Sequence, residues 1–558
     1  MNKKIIFLGL MFSLIATQAS AIGTYDEQWR RPTWNGPTDH KITIDSEMPI
    51  MNSISHLWAQ FGWPDGRSAR YTCSSVNDEH CQDAQAYSYS AIFPICTEIS
   101  QRDCIETVSA GSATSSLQNA TFLRYTLDRH PNNFLPDQKL GLPANANPSL
   151  WSIPSAQTVN GNQYVLSVGL EGVKNLLNPN DSYEYLFAYL TPVESHANAL
   201  SKIGACVQDQ NAPNSVPGVV ANTMCAGAAE YYTSPEVPKC NFADGESGAC
   251  FSPIPFPKNV RYSISLRLKN EPTGWLHGRI SSPDVEITNI DNGTRLVMTA
   301  EPVTVPTFHL EASWSNLSPV TQSWWLKDFP ICNQKLDCQQ AGGLHASDPR
   351  LDTQNSFVGV NVLPSGDGAI GVITKLSQEV SDKAIVAPSV WSFRTLASEE
   401  MNGTARCLNS GKGLKGIVST NSTAYSSGPP SFDGSLLNYK VASLHFLPDG
   451  SIFKGSYDLL MRSDIARCLY GFSNAGISAS ISVTNSEGEN AIATTSSSES
   501  KGWLHLSAKN FTFSSPTIKV KFSQNKPISK LISCRKGKTI KRIQGANQKC
   551  PDGFKRVN

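Results

Sequence analysis

The chain repeats a tetrapeptide together with its surroundings. Residues 271–287 read EPTGWLHGRISSPDVEI, and residues 500–519 read SKGWLHLSAKNFTFSSPTIK. Other short matches keep the same order, such as FPIC at 93–96, which returns at 329–332. Colinear matches at a nearly constant offset of about 235 residues indicate an internal duplication. The same kind of unit is therefore expected to fold twice within one chain.

This duplication and the composition of the two ends divide the chain into five predicted parts. They are a signal peptide at 1–21, an extended N-terminal arm at 22–44, a first β-rich unit at 45–300, a second unit that duplicates the first at 301–525, and a basic C-terminal module at 526–558.

The first residues predict export. Lys3 and Lys4 precede an apolar run, and Ala19-Ser20-Ala21 has the small-x-small pattern of a signal peptidase site. No later stretch reaches the roughly 18–20 uncharged apolar residues that a spanning helix needs, so no transmembrane segment is predicted in the mature chain. We therefore expect a secreted protein that associates with the cell envelope.

The local pattern within both units is that of β-strands. Residues 262–268, 284–290 and 517–523 alternate polar and apolar side chains and are rich in β-branched and aromatic residues. Helices are predicted only at 182–190 and 456–470. Many short strands separated by turn residues favour a mainly β fold of tandem antiparallel β-sandwich-like units, with few short helices. Each unit is either one large sandwich or two smaller ones.

Fourteen cysteines in an exported chain indicate disulfides rather than a metal or redox site. No C-x-x-C motif and no Cys-His array at zinc spacing is present. Sequence alone leaves the connectivity open, but close spacing favours Cys73 with Cys81, Cys96 with Cys104, Cys240 with Cys250, and Cys332 with Cys338. We further predict the pairs Cys206 with Cys225, Cys407 with Cys468, and Cys534 with Cys550.

The repeated tetrapeptide supplies four candidate binding residues. On a strand, residues two apart share a face, so Trp275 lies beside His277 and Trp503 beside His505. One interpretation is a tryptophan platform with a histidine hydrogen-bonding group, as in sugar-binding sites. The other is a core tryptophan beside a partly buried histidine. We favour the second, because a feature kept in both halves of a duplication belongs more often to the shared core.

The C-terminal module is strongly basic. Residues 526–558 hold ten Lys and Arg residues and one acidic residue, whereas the whole chain has a formal net charge of +1. A Cys534–Cys550 bridge would present four candidate binding residues together: Lys536, Lys538, Lys541 and Arg542. Clustered cations attract polyanions, so an anionic cell-envelope polymer or a glycan is the expected partner, against the simpler interpretation of a solvated end.

The chain carries no recognisable catalytic motif. Ser451-Ile-Phe-Lys454 matches S-x-x-K but follows a Pro-Asp-Gly turn instead of starting a helix. Two acidic turns, GGLHASDPRLD and SSPDVEITNIDNG, offer oxygen ligands but do not follow the EF-hand loop. We predict no catalytic residue, no metal, no cofactor and no nucleic-acid partner, and we assign no oligomeric state.

The C-terminal part resembles a group of uncharacterised secreted and cell-surface proteins of actinobacteria. The resemblance lies in ARCLYGFSNAGISASISV, in KGWLHLSAKNFTFSSPTIKVKFSQ, and in the ending ISCRKGKTIKRIQGANQKCPDGFKRVN. It covers roughly the last hundred residues and implies export and a shared surface-associated module, but no catalytic residues.

These observations predict a secreted, cell-surface-associated structural or binding protein, held to the envelope partly by its basic tail. The first alternative is a secreted carbohydrate-active or other hydrolytic enzyme, which would need a cleft with facing carboxylates in one of the units. The second is a glycan-binding adhesin, which would expose Trp or Tyr side chains on one face of each unit.

Overall fold

The protein was analysed as a computed structural model. It describes residues 41–46, 55–62, 68–112, 115–126, 133–196, 242–244, 249–313, 316–328, 338–340, 344–346, 357–362, 364–401, 404–409, 412–473, 476–484, 492–513, 517–524, 530–545 and 549–557. Of these residues, 54% lie in strands and 10% in helices, which confirms the predicted mainly β class.

The strands in the described residues are β1 Lys41–Ser46, β2 His56–Gly62, β3 Ser68–Thr72, β4 Ala86–Ile92, β5 Cys104–Ser112, β6 Gln118–Asn119, β7 Thr121–Tyr125, β8 Ser149–Ser152, β9 Gln163–Asn175, β10 Tyr183–His196, β11 Phe242–Asp244, β12 Ala249–Pro253, β13 Val260–Leu268, β14 Gly274–Ile290, β15 Gly293–Thr304, β16 His309–Ser313, β17 Cys338–Gln340, β18 Leu344–Ala346, β19 Phe357–Val362, β20 Ser389–Thr395, β21 Leu414–Thr420, β22 Ala424–Tyr425, β23 Ser431–Phe432, β24 Leu437–Ala442, β25 Gly455–Arg462, β26 Ile477–Thr484, β27 Thr494–Ser500, β28 Trp503–Phe511, β29 Thr517–Gln524, β30 Lys530–Lys536, β31 Thr539–Gly545 and β32 Lys555–Val557. The helices are α1 Pro319–Asp328, α2 Asp367–Leu376, α3 Arg406–Asn409 and α4 Ser463–Tyr470, with 3₁₀ turns at Pro179–Asp181, Ser377–Val380 and Glu399–Met401.

A long sheet runs through the molecule. Its strands follow the order β3-β2-β4-β9-β10-β20-β14-β21-β25-β28-β27. Neighbours along this path are antiparallel, except that β14 and β21 are parallel. The first half of β14 therefore lies between β20 and β21, two strands that follow it by more than a hundred residues.

A second sheet, β6-β5-β13-β15, covers one face of the long sheet and also includes the second half of β14. Side chains from both sheets, among them Trp151, Tyr262 and Trp391, form one buried cluster, which we call the first core. Strand β14 passes from one sheet to the other at a bulge between Ser281 and Asp284. Bulges bend a strand and raise its twist, and a bend of this kind lets one strand serve two packed sheets.

A third sheet, β22-β24-β29-β26, packs with α4 on the opposite face of the long sheet. Its side chains join those of β21, β25 and β28 in a separate cluster, the second core, which includes Tyr439, Tyr457 and Phe511. The alternation of strand side chains explains the division, because Leu460 faces the first core while Leu459 and Met461 face the second. The result is two sandwiches that share one sheet.

The strands and the two cores extend across the predicted boundary between the two units. The expected division at 300/301 lies inside β15, and β14 contributes to both cores. Residues 41–44 of the predicted arm belong to β1, which pairs with β16 and with β19. The rest of the arm and the predicted signal peptide lie outside the described residues.

The predicted helix at 182–190 is wrong, because these residues form most of β10. Alternate residues Leu186, Ala188 and Leu190 face the first core, while Phe187 and Tyr189 contact each other on the other face. A strand with apolar side chains on both faces lacks the alternation of polar and apolar residues. Its sequence pattern then cannot be distinguished from that of a buried helix.

The helix predicted at 456–470 is correct only in its second half. Residues up to Arg462 belong to β25, and α4 begins at Ser463. In the described part of the chain, no helix has both the length and the apolar composition needed to cross a membrane.

Four predicted disulfides are confirmed: Cys73–Cys81, Cys96–Cys104, Cys407–Cys468 and Cys534–Cys550. None of the cysteines in the described residues is free. The other three predicted pairs each include a cysteine outside the described residues: Cys206 with Cys225, Cys240 with Cys250, and Cys332 with Cys338.

Candidate functional site

The first copy of the repeated tetrapeptide is buried. Trp275 is 1% exposed, and its indole Nε1 donates a hydrogen bond to the backbone carbonyl of Leu408 at 2.8 Å. Gly416 allows this packing, since a Cβ there would come within 2.5 Å of the indole ring. His277 is 3% exposed and stacks on Tyr425 with ring centroids 3.8 Å apart. Neither side chain presents a surface to a ligand in this conformation.

Burial, together with two nearby arginines, keeps His277 neutral. Burial lowers the pKa of His277 well below its usual 6.5, and the nearby Arg279 and Arg394 lower it further. Arg279 is itself buried, and its guanidinium donates to the backbone carbonyls of Ser422 at 2.5 Å and Thr420 at 3.1 Å. A buried cation whose donors all face carbonyls is tolerated, because its hydrogen bonds are satisfied.

Arg394 has a carboxylate partner. It forms a bidentate ion pair with Glu400, in which Nη1 lies 2.6 Å from Oε2 and Nη2 lies 2.8 Å from Oε1. Burial alone would raise the pKa of Glu400, but the hydrogen bonds and charge of Arg394 outweigh it and lower the pKa. Paired geometry of this kind gives the strongest carboxylate contacts in proteins, so these groups hold β20 to the following turn.

The second copy has the opposite orientation. Leu504 of β28 belongs to the second core, while Trp503 is half-buried and packs against the first core. The side chain of His505 is 34% exposed, and its Nε2 lies 3.5 Å from Oδ1 of the buried Asp458. Of the four predicted Trp and His residues, His505 is thus the one that combines accessibility with a charged neighbour.

The basic C-terminal module forms a three-stranded sheet, with β30 between β31 and β32. Strands β30 and β31 are joined by a two-residue turn in which Gly537 has φ +59°. Glycine adopts this left-handed conformation without strain and is common in such hairpin turns. The Cys534–Cys550 disulfide crosses the module, and Cys534 is fully buried. The module therefore has a small centre closed by its own bridge.

The four basic residues predicted as binding residues, Lys536, Lys538, Lys541 and Arg542, are all exposed. The register places Lys541 and Arg556 opposite Cys534, so they share one face with Lys536. The other face carries Arg542, Arg535 and Lys555. Lys538 lies in the turn between the strands. The cations therefore surround the hairpin on both faces instead of forming one flat patch.

Basic and acidic residues are unevenly distributed between the C-terminal module and the rest of the chain. The chain has 47 basic and 46 acidic residues, of which ten and one lie in 526–558. The remaining sequence thus holds 37 basic and 45 acidic residues. The chain is near-neutral in total because a cationic module is attached to an acidic body.

A small cleft between β9, β10 and the end of β13 was not predicted. Its volume is about 130 Å³, below the roughly 300–1,000 Å³ of pockets that enclose larger organic ligands. Lys174 Nζ lies 2.8 Å from Glu184 Oε2, and Tyr89 donates to the same oxygen. Burial raises the pKa of Asp103, whose carboxylate accepts from the backbone N–H of Lys269. These charged groups largely satisfy one another.

The acidic turn in SSPDVEITNIDNG lies within the described residues. Asp284, Asp291 and Asn292 lie in or next to β14. Within the described residues, no group of three or more His, Cys, Asp or Glu side chains is placed to hold a metal ion. Asp348 and Asp352 of the other turn lie outside the described residues.

Comparisons with known proteins assign the chain to no group. No protein-family model matches it, and no curated protein matches it at a significant level.

Proposed function

We propose that this protein is an exported cell-surface structural or binding protein, held to an anionic envelope polymer by its C-terminal module. The observation that carries the proposal is the exposed hairpin of β30 and β31, which presents Lys536, Lys538, Lys541 and Arg542 around a disulfide-closed centre. Such a compact set of cations attracts a polyanion over a distance limited by salt screening.

The disulfides, the fold class and the distribution of charge also support this proposal. Four disulfides and a mainly β fold are compatible with an extracellular protein. The C-terminal module differs from the body in charge, since its ten cations are opposed by one acidic residue. A polymer with phosphate or carboxylate groups along its length can contact cations on both faces of the hairpin at once.

The test is retention of the purified protein on immobilised polyphosphate along a salt gradient. We expect the intact chain to bind at low salt and to elute as ionic strength rises, because exposed ion pairs are screened. A variant with Lys536, Lys538, Lys541 and Arg542 replaced by Gln should elute at clearly lower salt, and the chain truncated after Ser523 should not be retained.

The matched control removes the same number of charges from the body. Lys139, Lys258, Lys454 and Lys521 are exposed and lie outside the module, and their replacement by Gln should leave elution close to that of the intact chain. Equal shifts in the two quadruple variants would show that net charge and not the hairpin is responsible, and retention of the truncated chain would show that the body itself binds the polymer.

A further inference from the structure

The bulge of β14 holds a serine in an uncommon conformation. The register between β14 and β15 shifts from Ser281 to Asp284, so Ser282 lies outside the ladder. Its φ is +51°, in the left-handed region that non-glycine residues seldom adopt. Strained residues of this kind cost about 1–3 kcal/mol and persist only where the surroundings hold them, and they are concentrated at functional sites.

Three neighbours hold Ser282. Its Oγ is 2.7 Å from Nζ of Lys509, which lies on β28. Its backbone N–H donates to Asp458 Oδ2 at 3.0 Å, and its carbonyl accepts from Arg261 at 3.3 Å. The serine oxygen thus accepts a hydrogen bond from the lysine amine and is kept in place by contacts on both sides of its own backbone. Serine and lysine side chains in contact form one known type of nucleophile and base.

The surrounding polar groups are incompletely satisfied. Asp458 is 1% exposed, and its Oδ1 makes no hydrogen bond, although His505 Nε2 lies 3.5 Å away. Ser507 lies opposite Asp458 in the register of β25 and β28, is 6% exposed, and its Oγ has no hydrogen-bond partner either. Leaving a buried polar atom unpaired costs about 1–3 kcal/mol, and such atoms are a recognised sign of a catalytic or ligand site.

We propose that Ser282 is the nucleophile of an acyl-transfer site that accepts carboxylic esters, with Lys509 as its proton acceptor. Asp458 is a positioning residue, because it accepts a hydrogen bond from the backbone N–H of Ser282. This activity goes beyond polymer binding and occupies a different part of the molecule from the cationic hairpin.

The proposed reaction has two steps. In the first, Ser282 Oγ bonds to the ester carbonyl carbon while its proton passes to the amine of Lys509. The ester C–O bond then breaks, and the leaving alkoxide takes the proton from Lys509. In the second, water attacks the acyl carbon and gives a proton to Lys509, the bond to Oγ breaks, and Ser282 recovers its proton as the carboxylic acid leaves.

The geometry favours Ser282 over its neighbours as the nucleophile. Ser281 is adjacent in sequence and 8% exposed, but it remains paired with Glu301 in the ladder. Ser282 is more accessible, and its hydroxyl lies at hydrogen-bond distance from the lysine amine. Ser281 therefore supplies a matched control with the same chemistry at almost the same place.

The test is covalent labelling of the intact protein by a fluorophosphonate reagent, with the modified residue identified by peptide mass spectrometry. In this reaction the Oγ–P bond forms, the P–F bond breaks, fluoride leaves, and the proton passes to Lys509. We expect an adduct on Ser282, no adduct in Ser282→Ala, and an unchanged rate in Ser281→Ala. An unlabelled Ser282 in the folded wild-type protein would overturn the proposal, and this result depends on no variant.

Two variants test the partners. Lys509→Arg keeps a hydrogen-bond donor but cannot accept a proton. Labelling should therefore slow by about a hundredfold or more, the loss expected when a general base is removed. Labelling at the wild-type rate would exclude Lys509 as the base. Asp458→Asn should lower the maximal labelling rate at an unchanged half-saturating reagent concentration. A change in the half-saturating concentration alone would contradict the positioning role.

Discussion

The two copies of Gly-Trp-Leu-His differ in almost every contact. In the first copy, Trp275 is enclosed by the second core and His277 lies beside the buried cation of Arg279. In the second copy, Trp503 is half-buried against the first core and His505 lies beside the buried carboxylate of Asp458. The same tetrapeptide therefore places its histidine beside a cation in the first copy and beside a carboxylate in the second.

The difference follows from the strands on either side. The first copy lies between β20 and β21, whereas the second lies between β25 and β27. Both copies belong to the long sheet, but their tryptophans face opposite sides of it. The two copies of the tetrapeptide share strand character, but each presents its tryptophan to a different core. The following predictions test this contrast.

The largest effect is expected for tryptophan truncation. Trp275→Ala should lower the free energy of unfolding by about 3–5 kcal/mol, because it leaves a cavity and also unpairs the carbonyl of Leu408. Trp503→Ala should cost only about 1–2 kcal/mol, since less apolar area leaves the core. Urea unfolding followed by circular dichroism measures both. Equal losses would mean that the two rings contribute alike despite their different burial.

The next effect concerns the bridge beside the first copy. Cys407 lies in α3, the helix that supplies the carbonyl bound by Trp275, and its disulfide to Cys468 spans 61 residues. Replacing both cysteines by Ala should cost about 2–4 kcal/mol. Replacing Cys96 and Cys104, which are eight residues apart, should cost less, because a shorter loop restricts the unfolded chain less. The reverse order would oppose this loop-length account.

A pH titration should distinguish the two histidine environments. The pKa of His277 is lower in the folded than in the unfolded state, so the unfolded chain binds the proton first on acidification. Its contribution is complete above the unfolded pKa of about 6.5 and is lost as the pH falls below it, by at most about 1.4 kcal/mol per pH unit. In His277→Phe, the melting temperature should depend less on pH between about pH 6.5 and 5.

Glu106 provides the control for that titration. Burial would raise its pKa, but hydrogen bonds from Arg295, Ser265 and Arg267 outweigh this and lower the pKa to about 2. Its stabilisation is therefore present above the usual carboxylate pKa and lost as the pH falls towards 2. Glu106→Gln should change the pH profile only in this acid range. A changed slope near pH 6 in Glu106→Gln would contradict the assignment to His277.

The smallest effect is expected at the second histidine. His505 is partly exposed and is 3.5 Å from its carboxylate, so His505→Gln should change the free energy of unfolding by less than about 1 kcal/mol at pH 7.5. His277→Gln should cost more, because it removes a ring stacked on Tyr425 in the core. Comparable losses in thermal unfolding would contradict the contrast between the two sites.

The success of the sequence-based predictions depended on the range of the interactions involved. Three of the four described disulfides, the strands at 262–268, 284–290 and 517–523, and the exposure of the basic hairpin were predictable, because each depends on nearby residues. The helix predicted at 182–190 failed since both faces of β10 are covered by distant strands. Ser282 and Lys509 were not recognised as a pair, because they are far apart in sequence and meet only through the bulge.

The sequence by itself determined the strand character of the repeats, the closely spaced cysteine pairs and the separation of a cationic C-terminal module from an acidic body. These properties depend on side-chain periodicity, short loops and composition. Only the tertiary structure decided that β14 passes between two sheets, that Trp275 and Trp503 face opposite cores, and that Lys509 contacts Ser282. Long-range strand pairing selects the neighbours of each side chain, and local residue patterns do not contain that information.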